Sequence, residues 1–338
     1  MAGRIQDEDI ALVRERTAIA DVISEHVTLR SAGGGNLKGL CPFHDEKTPS
    51  FTVSAARNVY FCHGCGAGGD AIKFMMDVDH LSFVESVERL AGRAGIQLRY
   101  LEAGPAPVRQ QQGAKQRLVA AHVAAVEFYT EQLVTAPARA AREFLAQRGF
   151  GREAAEKYAC GFAPDGWDRL TKHLGQRGFT SQELVTAGLS LQARSGSLID
   201  RFRRRLVWPI RELSGDVIGF GARKLFDDDD GPKYLNTPET PLYKKSHVLY
   251  GIEHAKREIA RQGRAVIVEG YTDVMACHEA GVPTAVATCG TAFGGDHIGV
   301  LRRLLMDSDS FTGEIIYTFD GDAAGQKAAL RAFEEDQR

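Results

Sequence analysis

Two groups of side chains in this sequence stand at spacings that chemistry uses. The first is a set of soft metal ligands, Cys41-Pro-Phe-His44 and, seventeen residues on, Cys62-His-Gly-Cys65. A turn carrying ligands at i and i+3 can aim both at one ion. A hairpin-length insert then lets a second such turn complete the tetrahedron, which is the spacing of a closed structural zinc site. Gly64, Gly66, Gly68 and Gly69 give the second turn the backbone freedom to bend. Free cysteines beside an ordinary histidine are the plain alternative. One pair alone fits it as well as it fits zinc, whereas both pairs together favour the metal. His63 is a weaker candidate than His44, which keeps the two-residue spacing. The second group is acidic: Glu269 and Asp273 in Glu-Gly-Tyr-Thr-Asp, then Asp320 and Asp322 on either side of Gly321. Hard oxygen ligands grouped in this way suit magnesium or manganese. Loop acids that cap the following helices, or a simple Asp-Gly-Asp turn, are the alternatives. The order of the two motifs, each just past an apolar run, favours the metal.

To position these residues the chain must lay short strands under the thiols and a sheet under the carboxylates. Phe51-Thr-Val and Asn58-Val-Tyr-Phe-Cys read as the short strands, set among helical stretches at Asp7–Arg16, Ala18–His26, Asp70–Met76 and Ser82–Ala91. So small a ribbon buries little apolar area and depends on zinc for its stability. From Glu102 to Gln116, Pro, Gly and Gln replace hydrophobic periodicity, the composition of a linker. Helical patterns resume at Arg117–Leu133 and Ala136–Arg148, and Arg148-Gly-Phe-Gly and Arg177-Gly-Phe-Thr each end one helix and open another. Val207, Pro209, Val217 and Ile218 suggest strands joined at Ser214-Gly215. Beyond Arg264 the pattern alternates strand and helix, with strands at Ala265–Glu269, Thr284–Ala287 and Glu314–Phe319. That alternation predicts a parallel sheet. The carboxylates then fall at the carboxyl ends of its strands, where open α/β sheets bind ligands. The predicted fold class is α+β and multidomain: a zinc-ribbon module over 1–101, a linker over 102–116, a mixed α/β basic subdomain over 117–260, and an α/β parallel sheet over 261–338.

Composition bounds what such a chain can do. At 338 residues it has room for two or three domains. A net charge of -2 leaves nucleic acid open as a partner, because an acidic centre offsets a basic surface. Met1–Asp9 is polar, so no secretory signal is expected, and no run of about eighteen apolar residues predicts a membrane span. Six cysteines with a metal pattern fit a reducing, cytoplasmic setting, and Cys160, Cys277 and Cys289 read as buried packing residues. Arg201, Arg203, Arg204 and Arg205 form a dense basic run, joined along the sequence by Arg211, Arg223, Lys224, Lys233, Lys244 and Lys245. Phosphate contacts are the chemistry of such a patch, and a solvated surface is the plain alternative. If the run lies on a strand, at most half of it lines one groove. Asp227–Asp230 is read as a charged loop without chemistry.

Val-Glu-Gly-Tyr-Thr-Asp followed by Tyr-Thr-Phe-Asp-Gly-Asp-Ala-Ala-Gly resembles the signature of the Toprim fold, shared by bacterial primases, type II and IA topoisomerases and some nucleases. Leu-Cys-Pro-Phe-His-Asp-Glu-Lys-Thr-Pro-Ser-Phe resembles the amino-terminal zinc module of bacterial DnaG-type primases. Arg203-Arg-Arg-Leu-Val-Trp-Pro-Ile and Pro232-Lys-Tyr-Leu-Asn-Thr-Pro-Glu-Thr resemble that family's polymerase core. The resemblance covers almost the whole chain in the right order. It implies template-directed synthesis of short RNA primers on single-stranded DNA from ribonucleoside triphosphates, through an RNA–DNA hybrid, in the cytoplasm at replication forks. It implies Asp320 and Asp322 as leading ligands of Mg2+ or Mn2+, Asp273 as a further ligand, and Glu269 as either a ligand or the base for the 3′ hydroxyl. Arg201, Arg203, Arg223, Lys233 and Lys244 are then the expected basic ridge. Tyr234 and Asn236 are candidate nucleotide contacts, with turn formation the alternative for Asn236. Phe43, Phe51, Tyr60 and Phe61 either stack on template bases or form the zinc module's core. The family carries a further acidic cluster and a carboxy-terminal helicase-interaction region. Neither is seen here, so the sheet is expected to be incomplete at its C-terminus and the chain to be a fragment. The rivals are a single-stranded-DNA-binding fragment without its own catalysis and another Toprim enzyme. A topoisomerase would need a tyrosine nucleophile, for which Tyr243 and Tyr250 stand open. No Walker A loop occurs, so a fused helicase is not expected.

Overall fold

The computed structural model describes residues 4–79, 81–101, 112–193, 196–305 and 313–319. The chain divides into two compact units, one built on residues up to Ala114 and including Lys256–Arg264 and Gly299–Glu314, the other built on the rest from Lys115 onward.

In the first unit, strand β1 (Arg4–Ile5) leads into α1 (Asp7–Arg16), whose first turn carries Asp7, Glu8 and Asp9 and whose last carries Arg14 and Arg16. Both ends thus complement the helix dipole. After α2 (Ile19–Ser24) come β2 (Arg30–Ser31), β3 (Asn36–Gly39), β4 (Phe51–Ser54), β5 (Val59–Cys62) and β6 (Gly68–Gly69), an antiparallel sheet in the order β2-β3-β4-β5-β6. Phe51 and Val53 on β4 and Tyr60 and Cys62 on β5 point inward, as strand alternation requires. Asp70 caps α3 (Ala71–Val78) by accepting from the Lys73 amide at 2.8 Å. Ser82 and Glu85 form a capping box on α4 (Phe83–Ala94), which ends at the left-handed Gly95. Strand β7 (Tyr100–Leu101) returns to pair with β1. The core is aromatic at its centre. Phe51 stacks on Tyr60 at 5.1 Å, and Phe74 of α3 meets Tyr60 edge-on at 5.5 Å.

The second unit begins with α5 (Gln112–Leu133), so the helix starts five residues before the expected Arg117. It continues with α6 (Arg139–Ala146), α7 (Arg152–Lys157), β8 (Gly161–Ala163), α8 (Arg169–Gln176) and α9 (Ser181–Thr186). The paired Arg-Gly-Phe segments terminate α6 and α8 in the same way. Gly149 and Gly178 take left-handed φ of 81° and 83°, and the Phe150 and Phe179 amides reach back to the Leu145 and Leu174 carbonyls. A short hairpin of β9 (Ser190–Gln192) and β10 (Leu198–Asp200) precedes the long hairpin of β11 (Arg205–Arg211) and β12 (Val217–Lys224), which turns at Gly215. With β13 (Tyr234–Asn236) they form a sheet in the order β13-β12-β11-β8. Along the chain then follow β14 (Leu249–Tyr250), α10 (Ile252–Gln262), β15 (Arg264–Val268), α11 (Tyr271–Glu279), β16 (Ala285–Thr288), α12 (Gly295–Leu305) and β17 (Glu314–Tyr317), most of α10 and α12 being counted with the first unit.

The last sheet runs β14-β16-β15-β17. β15 and β16 are parallel, as the alternation predicts, and their buried faces are Ala, Val and Ile. The expectation of a wholly parallel sheet needs one correction: β14, ahead of α10, pairs antiparallel with β16 as an edge strand. A single apolar core runs from α5 through Trp208 and Phe220 of the hairpin to Val268, Tyr271 and Ala287 of this sheet. Among the described residues no helix is long and apolar enough to cross a membrane.

Candidate metal centre and acidic loop

The sulfur and imidazole ligands meet in the first unit. Cys41 follows β3, His44 lies three residues on in the same turn, Cys62 ends β5, and Cys65 sits in the turn before β6. One ligand atom from each lies within 4.8 Å of the others. Cys41 and Cys65 Sγ are 3.7 Å apart, and Cys62 Sγ is 3.8 Å from His44 Nδ1. Backbone amides of Phe43 and Cys65 point at Cys41 and Cys62 Sγ, both at 3.4 Å, which favours thiolates. Burial raises the Cys62 thiol, but hydrogen bonds from Ser50 and from the Cys65 and Gly64 amides outweigh it and bring it down to about 7. Burial pushes Cys41 well above its ordinary value, which a dication beside it would reverse. Three thiols and one imidazole in a closed cluster match the donor set of structural zinc. Phe51 and Tyr60 are buried and Phe43 packs against them, whereas Phe61 is 48% exposed.

Glu269 is exposed directly after β15, at the carboxyl end of the parallel pair. Asp273 lies in the first turn of α11, and its Oδ2 accepts from the Gly270 amide at 2.9 Å. It therefore does serve as a helix-terminal acceptor, the alternative weighed for it. Asp320 and Asp322 lie outside the described residues.

The basic residues divide by what holds them. Arg201–Arg204 precede β11 rather than lying on it, and Arg204 takes a left-handed φ of 55°, so strand alternation does not sort them. Arg204 forks onto Asp228 at 2.9–3.0 Å, and buried Arg205 bonds Asp229 at 2.7 Å. The loop Asp227–Asp230, read from sequence as inert, thus neutralises two arginines. Arg201 donates to the Asn236 carbonyl at 2.6 and 3.1 Å, and burial holds its guanidinium below its ordinary value. Arg203 donates to the Asp200 carbonyl and lies 4.6 Å over the ring of Trp167, which is 65% exposed. Arg223 lies 3.9 Å over Phe144 and faces Tyr234 across the β12–β13 ladder. Lys233, Tyr234 and Lys244 are exposed, and neither lysine has an ion pair among the described residues. Tyr243 and Tyr250 are both buried, so neither offers a nucleophile.

Residues 5–105 match the family model of the CHC2 zinc finger, 128–256 that of the DNA primase catalytic core N-terminal domain, and 263–338 that of the Toprim domain. The chain is 62% identical over 339 residues to a DNA primase of Streptomyces coelicolor, covering 100% of this chain and 52% of that one. It is 33% identical to the Aquifex aeolicus primase structure of zinc-binding and RNA polymerase domains, covering 99% of this chain and 77% of that one at a TM-score of 0.62. The chain belongs to the bacterial DnaG-type DNA primase family. The RNA polymerase domain of Mycobacterium tuberculosis primase DnaG is also similar, with 59% identity over 67% of this chain and 73% of that one and a TM-score of 0.64. The chain spans about half the length of the curated primases it matches.

Three residues of this primase-family chain escaped the sequence reading. Glu46 accepts from the Cys41 and Ser50 amides at 2.7 and 3.1 Å through one oxygen and faces His44 Nε2 at 3.3 Å with the other. Only its place within the Cys-Pro-Phe-His-Asp-Glu run hinted at this. Asp200, buried, accepts from the Leu170 and Thr171 amides at 2.8 Å and so fixes the start of α8 beside the arginine run. Tyr271, inside the acidic motif, is buried against Trp208 with ring centroids 5.2 Å apart and planes at 11°.

Proposed function

We propose that this chain is the zinc-binding and catalytic part of a DNA primase, joining ribonucleotides into short RNA primers on a single-stranded DNA template. The observation that carries the reading is the order along one chain of a closed thiol–imidazole cluster, a basic run leading into β11 and a sheet with Glu269 at the carboxyl end of its parallel strand pair. A relative 62% identical to this chain over its whole length is named DNA primase, and structures of related catalytic domains hold single-stranded or overhanging DNA. In the reaction a primer 3′ hydroxyl attacks an α-phosphate and pyrophosphate leaves. Asp273, Asp320 and Asp322 are the proposed ligands of Mg2+ or Mn2+, with Glu269 either a further ligand or the base that accepts the hydroxyl proton, and the bound metal would supply positive charge to the phosphoryl oxygens. Lys233, Lys244, Arg201, Arg203 and Arg223 hold the triphosphate and template by phosphate contacts, and Tyr234 and Asn236 contact the nucleotide. Cys41, His44, Cys62 and Cys65 bind a structural zinc, and exposed Phe61 offers a stacking face for template bases. The proposed divisions are 1–101, 102–116, 117–260 and 261–338, the last continuing in a longer protein that reaches a replicative helicase. The burial of Tyr243 and Tyr250 speaks against a topoisomerase.

The test is primer-independent incorporation of ribonucleotides on single-stranded DNA by this chain and by its Asp320→Asn variant. Short template-dependent RNA from the first, reduced at least a hundredfold in the second, is the expected outcome. A variant as active as its parent removes Asp320 from the site. If neither makes RNA, the longer protein is assayed, and its inactivity would overturn the reading.

A further inference from the structure

Asn236 sits where the two halves of the second unit's chemistry meet, and its hydrogen bonds leave one face for a ligand. Its backbone carbonyl is taken by Arg201 at 2.6 and 3.1 Å. Its side-chain oxygen is taken by the Tyr271 hydroxyl, which donates to Oδ1 at 2.8 Å. Among the described residues what remains is the Nδ2 amine. It lies toward Gly290, where an added Cβ would come within 2.5 Å of it. Gly290 lies two residues past the end of β16 and Glu269 one residue past the end of β15, so the amine stands near the carboxyl edge of two adjacent parallel strands. That edge is the crevice in which open α/β sheets hold ligands.

Tyr271 is itself held so firmly that its hydroxyl has little freedom. Its ring stacks on Trp208 and meets Tyr250 edge-on at 4.7 Å. Gly221, opposite Asn236 in the β12–β13 ladder, has no side chain because the ring occupies that space: a Cβ there would lie 2.1–2.5 Å from Tyr271 atoms. Burial keeps the hydroxyl protonated and therefore a donor.

We propose that Tyr271 is a positioning residue, locking the Asn236 amide in the orientation that shows only N–H donors to the crevice. A face of donors with its acceptors already occupied selects oxyanions. It fits the phosphate oxygens of a nucleoside triphosphate, and it gives the tyrosine between Glu269 and Asp273 a role distinct from metal binding. The assignment rests on the primase reading.

Tyr271→Phe keeps the ring against Trp208 and deletes only the hydroxyl, and Asn236→Ala deletes the acceptor. If the lock exists, each lowers the melting temperature by about 2–4 °C and the double variant falls no further than either alone. Additive losses overturn it. The same proteins are titrated with a fluorescent ribonucleoside triphosphate in Mg2+. Tyr271→Phe is expected to raise Kd about tenfold, the scale of one hydrogen bond to a charged group. Asn236→Asp, which keeps an acceptor for Tyr271 but puts charge where the donors were, raises it further. A Kd unchanged in Tyr271→Phe overturns the positioning role even if the melting temperatures couple. A parent chain that binds no nucleotide counts against the primase reading and the positioning role with it, while the melting cycle still decides the lock.

Discussion

Glu46 ties the ligand turn to itself. One carboxylate oxygen collects the Cys41 and Ser50 amides, and the other faces His44 Nε2 at 3.3 Å, while His44 Nδ1 faces Cys62. An imidazole that meets a metal through one nitrogen is oriented, and made more basic, by the acceptor on the other. Glu46→Gln should therefore lower zinc affinity about 10–100-fold, measured by competition against a chromogenic chelator. An affinity equal to that of the parent would show that Glu46 serves the turn alone. The clustering of Cys41, His44, Cys62 and Cys65 was legible in sequence because two-residue spacings are local, and a tight turn converts them directly into a shared focus. Glu46 was not, because its partners acquire their positions only once the turn has closed. The same holds for Asp228 and Asp229: four consecutive acids look like a solvated loop until folding brings them onto Arg204 and Arg205.

Elements were legible where an apolar run or a cap stated them. Val266–Val268 and Ala285–Ala287 are uninterrupted apolar runs of the kind that parallel strands need, and they pair in parallel. Strand β14 has only two residues, too few for periodicity, and it joins the sheet through a ladder that no local pattern encodes. Strand alternation does not sort Arg201–Arg204, because the left-handed Arg204 comes just before β11, which starts at Arg205. Gly221 is the element-scale position with the sharpest consequence. It lies mid-strand, where glycine weakens a sheet, yet its missing side chain is the space Tyr271 fills. Gly221→Ala inserts a methyl group into a ring wedged between Trp208 and Tyr250, so relief requires backbone movement. Overpacking of this kind costs about 1–3 kcal/mol, which chemical denaturation followed by fluorescence of the buried Trp208 would read. Stability equal to the parent's would mean that the Tyr271 ring can withdraw, and the lock on Asn236 would lose its foundation.

At the scale of the whole molecule, a net charge of -2 conceals a division that the proposed binding of single-stranded DNA would expose. Arg204 and Arg205 are compensated by Asp228 and Asp229, Arg201 is partly buried on a carbonyl, and exposed Lys233 and Lys244 carry charge with no ion pair among the described residues. Counterion release makes this division measurable. Each phosphate that a protein neutralises on single-stranded DNA adds about 0.7 to the slope of log affinity against log salt. A lysine that meets phosphate contributes to that slope, and a guanidinium already paired with a carboxylate does not. Lys233→Ala should therefore reduce the slope by about 0.7, whereas Arg204→Ala combined with Asp228→Ala, which removes a neutral pair, should leave it unchanged. Anisotropy of a labelled single-stranded oligonucleotide from low to moderate salt gives both slopes. A fall in the double variant equal to that in Lys233→Ala would mean that DNA draws Arg204 away from Asp228, making the acidic loop a competitor for the template rather than a fixed brace. An unchanged slope in Lys233→Ala would move the phosphate path away from the residue that leads into β13 and leave Lys244 and the Arg203–Trp167 pair to carry it.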